Sequence, residues 1–199
     1  MVVFESASPD FFLAHFDLTG KTGNVTTAVG PSGMPILMDT YIRLTKSPVV
    51  SIAKIRGCLR GACSEFVLAC DMRFASRENT RLGQPEVGVG VNPGGGGTER
   101  LPPLVGRGRA LEIILGANDF DGETAERYGY VHRALPDAEL DGFVDALAPD
   151  RLLRPMSDRG RKEACQSGLL AKRRSSPRRP QLVPDRAAGP KRYSASRPC

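Results

Sequence analysis

GACSEFVLACD, residues 61–71, lies between two strand-like runs. Upstream, VVSIAKI at 49–55 is rich in β-branched residues; downstream, DMRFA at 71–75 is short and mixed. Residues 62–69 read as a short helix, with Phe66, Val67 and Leu68 apolar. Gly57 and Gly61 bracket the turn between the first strand and that helix. Strand, turn, helix and strand in one short span make a βαβ pattern, which predicts a layered α/β fold.

The flanking sequence continues the pattern. Residues 2–4, VVF, read as a buried strand, followed by a turn at 6–10 and a segment from Phe11 that leads into a loop. Residues 20–30 are rich in Gly and Thr. Ile36, Leu37, Tyr41 and Leu44 recur at helical spacing, and Pro48 ends that helix. Gly94 to Gly97 precede a helix starting at Thr98, and Leu111, Ile114 and Leu115 mark another over 107–115. Asp121 suits the N-cap of a helix through Tyr128. Residues 130–133 read as a strand and 137–147 as an amphipathic helix. There is no internal repeat.

Composition excludes several classes. Five cysteines, at 58, 63, 70, 165 and 199, are an odd number and fit neither a disulfide framework nor a CxxC metal site. With His15 and His132 the only imidazoles, no metal site is predicted. No apolar run is long enough to span a bilayer. The first residues lack the basic flank and apolar stretch of a signal peptide, so a cytoplasmic protein is expected.

Charge divides the chain. Residues 151–199 hold 14 of the 28 Lys and Arg but 3 of the 22 Asp and Glu. The first 150 residues therefore carry 14 basic against 19 acidic side chains. Two regions are expected: an acidic folded body over 1–149, and a basic, Pro/Arg-rich tail over 150–199 without a periodic apolar face, read as disordered. An arginine-rich tail can neutralise phosphates. Its single aromatic, Tyr193, leaves little for base stacking, so nucleic-acid binding is disfavoured.

Four ordered stretches resemble the enoyl-CoA hydratase/isomerase (crotonase) family. SPVVSIAKIRG at 47–57 is like the family's strand leading to a glycine turn. GACSEFVLACD at 61–71 is like GGGxELALACD, LGQPEVGVG at 82–90 is like FGQPEVxLG, and PGGGGTERLP at 93–102 is like PGxGGTQRLP. The intervals also match, apart from about one extra residue in a loop expected at 76–81. The resemblance covers most of residues 2–148. It implies a crotonase-like layered ββα spiral core, incomplete at both ends. A further segment would precede the opening strand, and the family's closing helices would replace the basic tail. A shift of reading frame near 148–150 would account for that change.

The resemblance also implies chemistry. Family enzymes bind an acyl-CoA and hold the thioester oxyanion on two backbone N–H groups, here those of Ala14 and Ala62. His15, Phe16 and Asp17 follow the first and would lie beside the thioester. Glu65 and Glu86 match the glutamates that hold the water added across a 2-enoyl double bond. Ala62 opens a helix, where free N–H groups favour negative charge. Glu65 falls three residues later, on the same side. No cofactor is implied, because coenzyme A arrives within the substrate. Family members form trimers or hexamers.

The sequence departs from the family pattern in places. Ala62 and Cys63 stand where glycines are usual, and Cys63 would be strained if its φ were positive. Arg60 and Cys58 replace small apolar residues. Double-bond isomerisation or thioester hydrolysis on the same oxyanion site, or an inactive fragment with a nucleic-acid-binding tail, are the competing readings. The run Gly94 to Gly97 lacks the Lys-Ser/Thr of a phosphate loop and is read as packing support for the helix after it.

Overall fold

The computed structural model of the chain describes residues 1–14 and 28–147. Among the described residues five strands form one sheet: β1 (Val2–Phe4), β2 (Ser51–Arg60), β3 (Met72–Gly83), β4 (Phe120–Asp121) and β5 (Arg133–Leu135). The path runs β1-β2-β3-β4, and β5 also pairs with β3. The pairs β1–β2, β2–β3 and β3–β5 are parallel, and β3–β4 is antiparallel. The described residues also form six α-helices that pack around the sheet: α1 (Ile36–Lys46), α2 (Ala62–Ala69), α3 (Gly97–Val105), α4 (Arg107–Gly116), α5 (Gly122–Tyr128) and α6 (Asp137–Leu147).

Successive strand residues face opposite sides of a sheet, and two cores result. Ala53 and Ile55 of β2 and Ala75 of β3 join Val67, Leu101, Ile113 and Tyr130 on one face. Ile52 and Phe74 join Leu135, Leu140 and Val144 on the other, beneath α6. This is the layered α/β arrangement expected, and α2 spans the predicted residues.

Three expectations about the strands change. The glycine turn does not end β2, which runs on to Arg60. Gly57 lies inside it at φ 74°, where the register to β3 shifts: Ile55 faces Ala75, but Gly57 faces Thr80. The expected loop at 76–81 is instead part of β3, bulged against β2. Such a kink needs a residue free of Cβ, because a Cβ on Gly57 would sit 2.6 Å from the Asp10 carbonyl carbon. In return Cys58 takes both neighbours' bonds, donating to Asp10 O at 2.7 Å and accepting from Phe12 N at 3.0 Å. The strand expected over 130–133 forms instead at Arg133–Leu135.

Buried Arg73 ties α2 to the segment before β5. Its guanidinium donates to Cys70 O at 2.8 Å, Val67 O at 3.3 Å and Tyr130 O at 2.9 Å. A cation on the last carbonyls of a helix satisfies groups that have no partner inside it. Asp121 caps α5 as expected, accepting from Thr124 N at 2.8 Å. No helix among the described residues is long and apolar enough to cross a membrane.

Candidate active site

The site begins at Gly61, whose φ of 56° and ψ of −126° suit only glycine. The chain turns there from β2 into α2. Glu65 N donates to Gly61 O at 2.9 Å, closing the first turn. The N–H groups of Ala62, Cys63 and Ser64 precede that bond and have no acceptor within the helix. Cys63 is helical and fully buried, so its side chain creates no backbone strain. The positive φ stays on Gly61. Among the described residues, Ala117 is the only non-glycine with positive φ. Burial pushes the Cys63 thiol up to about 12, although the Leu13 backbone hydrogen-bonds to it.

Glu65 points from the first turn of α2 into the molecule and is 2% exposed. Its carboxylate accepts from Gly95 N at 2.8 Å to each oxygen, and from Gly97 N at 2.9 Å. Burial raises its pKa above the ordinary carboxylate value. The Gly97 and Gly95 amides and the Arg100 charge act the other way. A Cβ on Gly95 would lie 2.4 Å from Glu65 Oε2. The glycine run therefore does more than support α3: it presents a plate of backbone donors to a buried acid. Glycines ahead of a helix start, in a sequence holding an unpaired inward acid, were the available signal. Tyr41 closes the other side, its hydroxyl donating to Ala62 O at 2.7 Å.

Glu86 follows Pro85 and opens a 3-10 turn, Glu86–Val89. Its pKa is also raised, first by burial and then by the Glu65 charge. The fully buried amide of Gln84 lies between Ser64 and Glu86. Facing Glu86 with its carbonyl would set acceptor against acceptor. Turned with NH2 toward Glu86, it donates to the carboxylate at 3.0 and 3.2 Å and accepts from Ser64 Oγ at 3.2 Å. Ser64 Oγ in turn contacts the Tyr130 hydroxyl. Sequence reasoning singled out none of Gln84, Ser64 or Tyr130, because each polar atom sits on a residue spaced like the surrounding core.

Ala62, Glu65 and Glu86 line one cleft of about 670 Å3 with Gly94, Gly95 and Arg60; its remaining wall, including Ile36 and Val91, is largely apolar. Arg60 is tied at the rim by a two-pronged pair with Asp119, which holds the Asp119 carboxyl below its usual range. Ala14 is exposed and is not among the residues lining the cleft. The strand-like hydrogen bond of Phe12 with Cys58, and the Leu13 backbone bond to the Cys63 thiol, nevertheless bring the chain close to α2 just before it. His15, Phe16 and Asp17 lie outside the described residues, as does the boundary at 149/150. Among the described residues, no three His, Cys, Asp or Glu side chains gather as a metal centre would need.

Comparison with known proteins finds the same architecture. The family model described as enoyl-CoA hydratase/isomerase matches residues 1–151. A short-chain-enoyl-CoA hydratase of Clostridium acetobutylicum is 42% identical over 107 residues, 54% of this chain and 40% of that protein. A crystal structure from Streptomyces avermitilis, provisionally assigned as an enoyl-CoA hydratase, superposes with a TM-score of 0.74 at 49% identity, covering 88% of this chain and 63% of that one. A Thermobifida fusca structure with the same provisional assignment, in complex with CoA, gives 0.68 at 30% identity, covering 86% and 71%. The chain thus spans less than half of the Clostridium protein and under two thirds of the Streptomyces one.

Proposed function

The chain belongs to the enoyl-CoA hydratase/isomerase family, and on that premise we propose that it binds an acyl-CoA and adds water across the double bond of a 2-enoyl thioester. One observation carries the proposal: a buried carboxylate, Glu65, a half-buried one, Glu86, and the N-terminus of a helix line a single, otherwise mostly apolar cleft.

The thioester oxygen is assigned to the Ala62 amide, with the Ala14 amide as second donor and His15, Phe16 and Asp17 beside it. Negative charge develops on that oxygen as hydroxide adds to the β-carbon. Preorganised N–H donors in a water-poor cleft then lower the barrier, each by about 3–4 kcal/mol where such donors have been removed. A free coenzyme A thioester is the substrate, in a cytoplasmic setting, with no separate cofactor.

The carboxylates divide the proton work. The ionised form of Glu65 has two amide donors and Arg100 beside it. Its charge in turn favours the protonated form of Glu86. Glu65 is therefore the base that takes a proton from water, and Glu86 the acid that supplies one to the α-carbon. After addition Glu65 is protonated and Glu86 ionised, and solvent exchange restores both.

The test is loss of the conjugated-enoyl absorbance of crotonyl-CoA, with Glu65→Gln and Glu86→Gln beside the native chain. Turnover that falls by roughly 10²–10⁴-fold in each variant is the expected result. Equal turnover in native chain and variants would sink the assignment. Inactivity toward crotonyl-CoA, with turnover of a 3-enoyl or saturated thioester, would replace hydration by isomerisation or hydrolysis.

A further inference from the structure

We propose that Ser64 and Tyr130 are positioning residues: a buried hydrogen-bond chain from the Tyr130 hydroxyl through Ser64 Oγ holds the Gln84 amide with its NH2 on Glu86. The inference rests on the reading of Glu86 as the proton donor.

Three polar side chains fully removed from water form this chain, and they come from three elements. Ser64 is on α2, Gln84 follows β3, and Tyr130 precedes β5. A buried hydroxyl without a partner is destabilising, so such groups persist where they are joined. Tyr130 contacts Ser64 Oγ and lies 3.2 Å from Ser64 O. Burial raises its pKa, so the hydroxyl keeps its proton and can donate. With that proton directed at Ser64 Oγ, the serine's own proton is free for the Gln84 carbonyl, 3.2 Å away. The amide then has one orientation open to it, NH2 toward Glu86.

That orientation matters because an amide beside a titrating carboxyl can serve either state. Its carbonyl suits protonated Glu86 and its NH2 suits the ionised form. A chain that fixes NH2 toward Glu86 stabilises the anion left after proton transfer and makes Glu86 a stronger acid. The other charged groups at this cleft are Glu65 on α2, which opposes ionisation, and Arg60 at the end of β2, which is paired with Asp119. Neither changes when the chain is cut, so a shift reports on Ser64 and Tyr130.

The experiment is a 13C-NMR titration of the Glu86 side-chain carboxyl in the full chain, assigned by its loss in Glu86→Gln. Ser64→Ala and Tyr130→Phe each remove one hydroxyl, and Ser64→Thr retains it. The expected result is a Glu86 midpoint about one pH unit higher in Ser64→Ala and Tyr130→Phe, the size of one hydrogen bond to a charged group, and restored in Ser64→Thr. In crotonyl-CoA hydration the alkaline limb of kcat moves up with it while KM holds. The two variants lose different groups, so either one, folded, decides the matter: an unmoved midpoint overturns the chain. A moved midpoint without hydration upholds the chain and overturns the hydratase reading; turnover with an unmoved midpoint does the reverse.

Discussion

The Gly95 amide donates to both carboxylate oxygens of Glu65, at 2.8 Å each. A side chain at Gly95 would enter the space that this bond occupies, 2.4 Å from Glu65 Oε2 and 2.9 Å from Tyr41 Cε2. Gly95→Ala is therefore expected to displace the carboxylate. Hydration of crotonyl-CoA should fall at least about tenfold, with a lower Tm. Unchanged kinetics and melting would show that the loop yields without disturbing Glu65.

Catalysis should depend on pH on both sides. Burial raises the pKa of Glu65 and of Glu86. As the proposed base, Glu65 must be ionised, so activity is lost as pH falls through its value. As the proposed acid, Glu86 must be protonated, so activity is lost as pH rises through its value. Log kcat against pH is expected to be bell-shaped with both limbs above the ordinary Glu pKa of 4.5. Glu86→Gln should remove the alkaline limb from whatever residual rate it keeps.

The same burial has a stability consequence. A carboxyl whose folded-state pKa is raised contributes most below the unfolded value of 4.5, and that contribution is lost as pH rises through the folded value. Glu86→Gln is neutral throughout. Its Tm should exceed the native one by a few degrees at pH 7, and the gap should close below pH 4.5 in a thermal melt. A lower Tm at pH 7 would contradict the burial of charge at Glu86.

Gly57→Ala tests whether the kink in β2 serves the site. The new Cβ would meet the Asp10 backbone at 2.6–2.7 Å in a left-handed conformation, a strain of about 1–3 kcal/mol before any clash. The segment through Phe12 and Leu13 should detach. If the Ala14 amide is the second oxyanion donor, kcat falls together with Tm; a fall in Tm alone would remove Ala14 from the site.

Acid should loosen α6 before the rest. Asp141 accepts from Arg56 and pairs with Lys54, which holds its carboxyl down to about 2, and Asp137 pairs with the same Arg56. These depressed groups contribute stability above the unfolded value of 3.8 that is lost as pH falls toward 2. The pairs are half-exposed, so Asp141→Asn should cost about 1 kcal/mol or less at neutral pH. Amide exchange in α6 should quicken between pH 4 and 2 in the native chain and show less change in the variant.

The sequence made the βαβ unit legible because α2 fits between the β-branched run before Gly57 and the strand-like run starting at Asp71, and local spacing suffices to place a helix of that kind. That Glu65 and Glu86 share one cleft was legible through their motifs, and Asp121 through its cap. The continuation of β2 past Gly57 was not. A positive φ reads equally as a turn or a bulge until the partner strand is known, and here the partner is Asp10, far away in the chain. The donor plate on Glu65 was hidden for a related reason, since backbone amides carry no side-chain signature. Ser64 and Tyr130 were hidden because a tyrosine before a strand and a serine in a helix are ordinary until they touch.

Ala62 and Glu65 belong to one turn of one helix, locked at its start by Gly61 and at its end by Arg73. On the proposed roles, the interval between the place where charge gathers and the place where a proton is taken up is therefore fixed by helical rise, about 4.5 Å over three residues, and not by any loop. The far walls of the cleft come from α1 and from the segment around Val91. Under the proposed function, mutation can reshape those walls for a different acyl chain without resetting the reaction coordinate, so specificity and chemistry can evolve on separate parts of the chain.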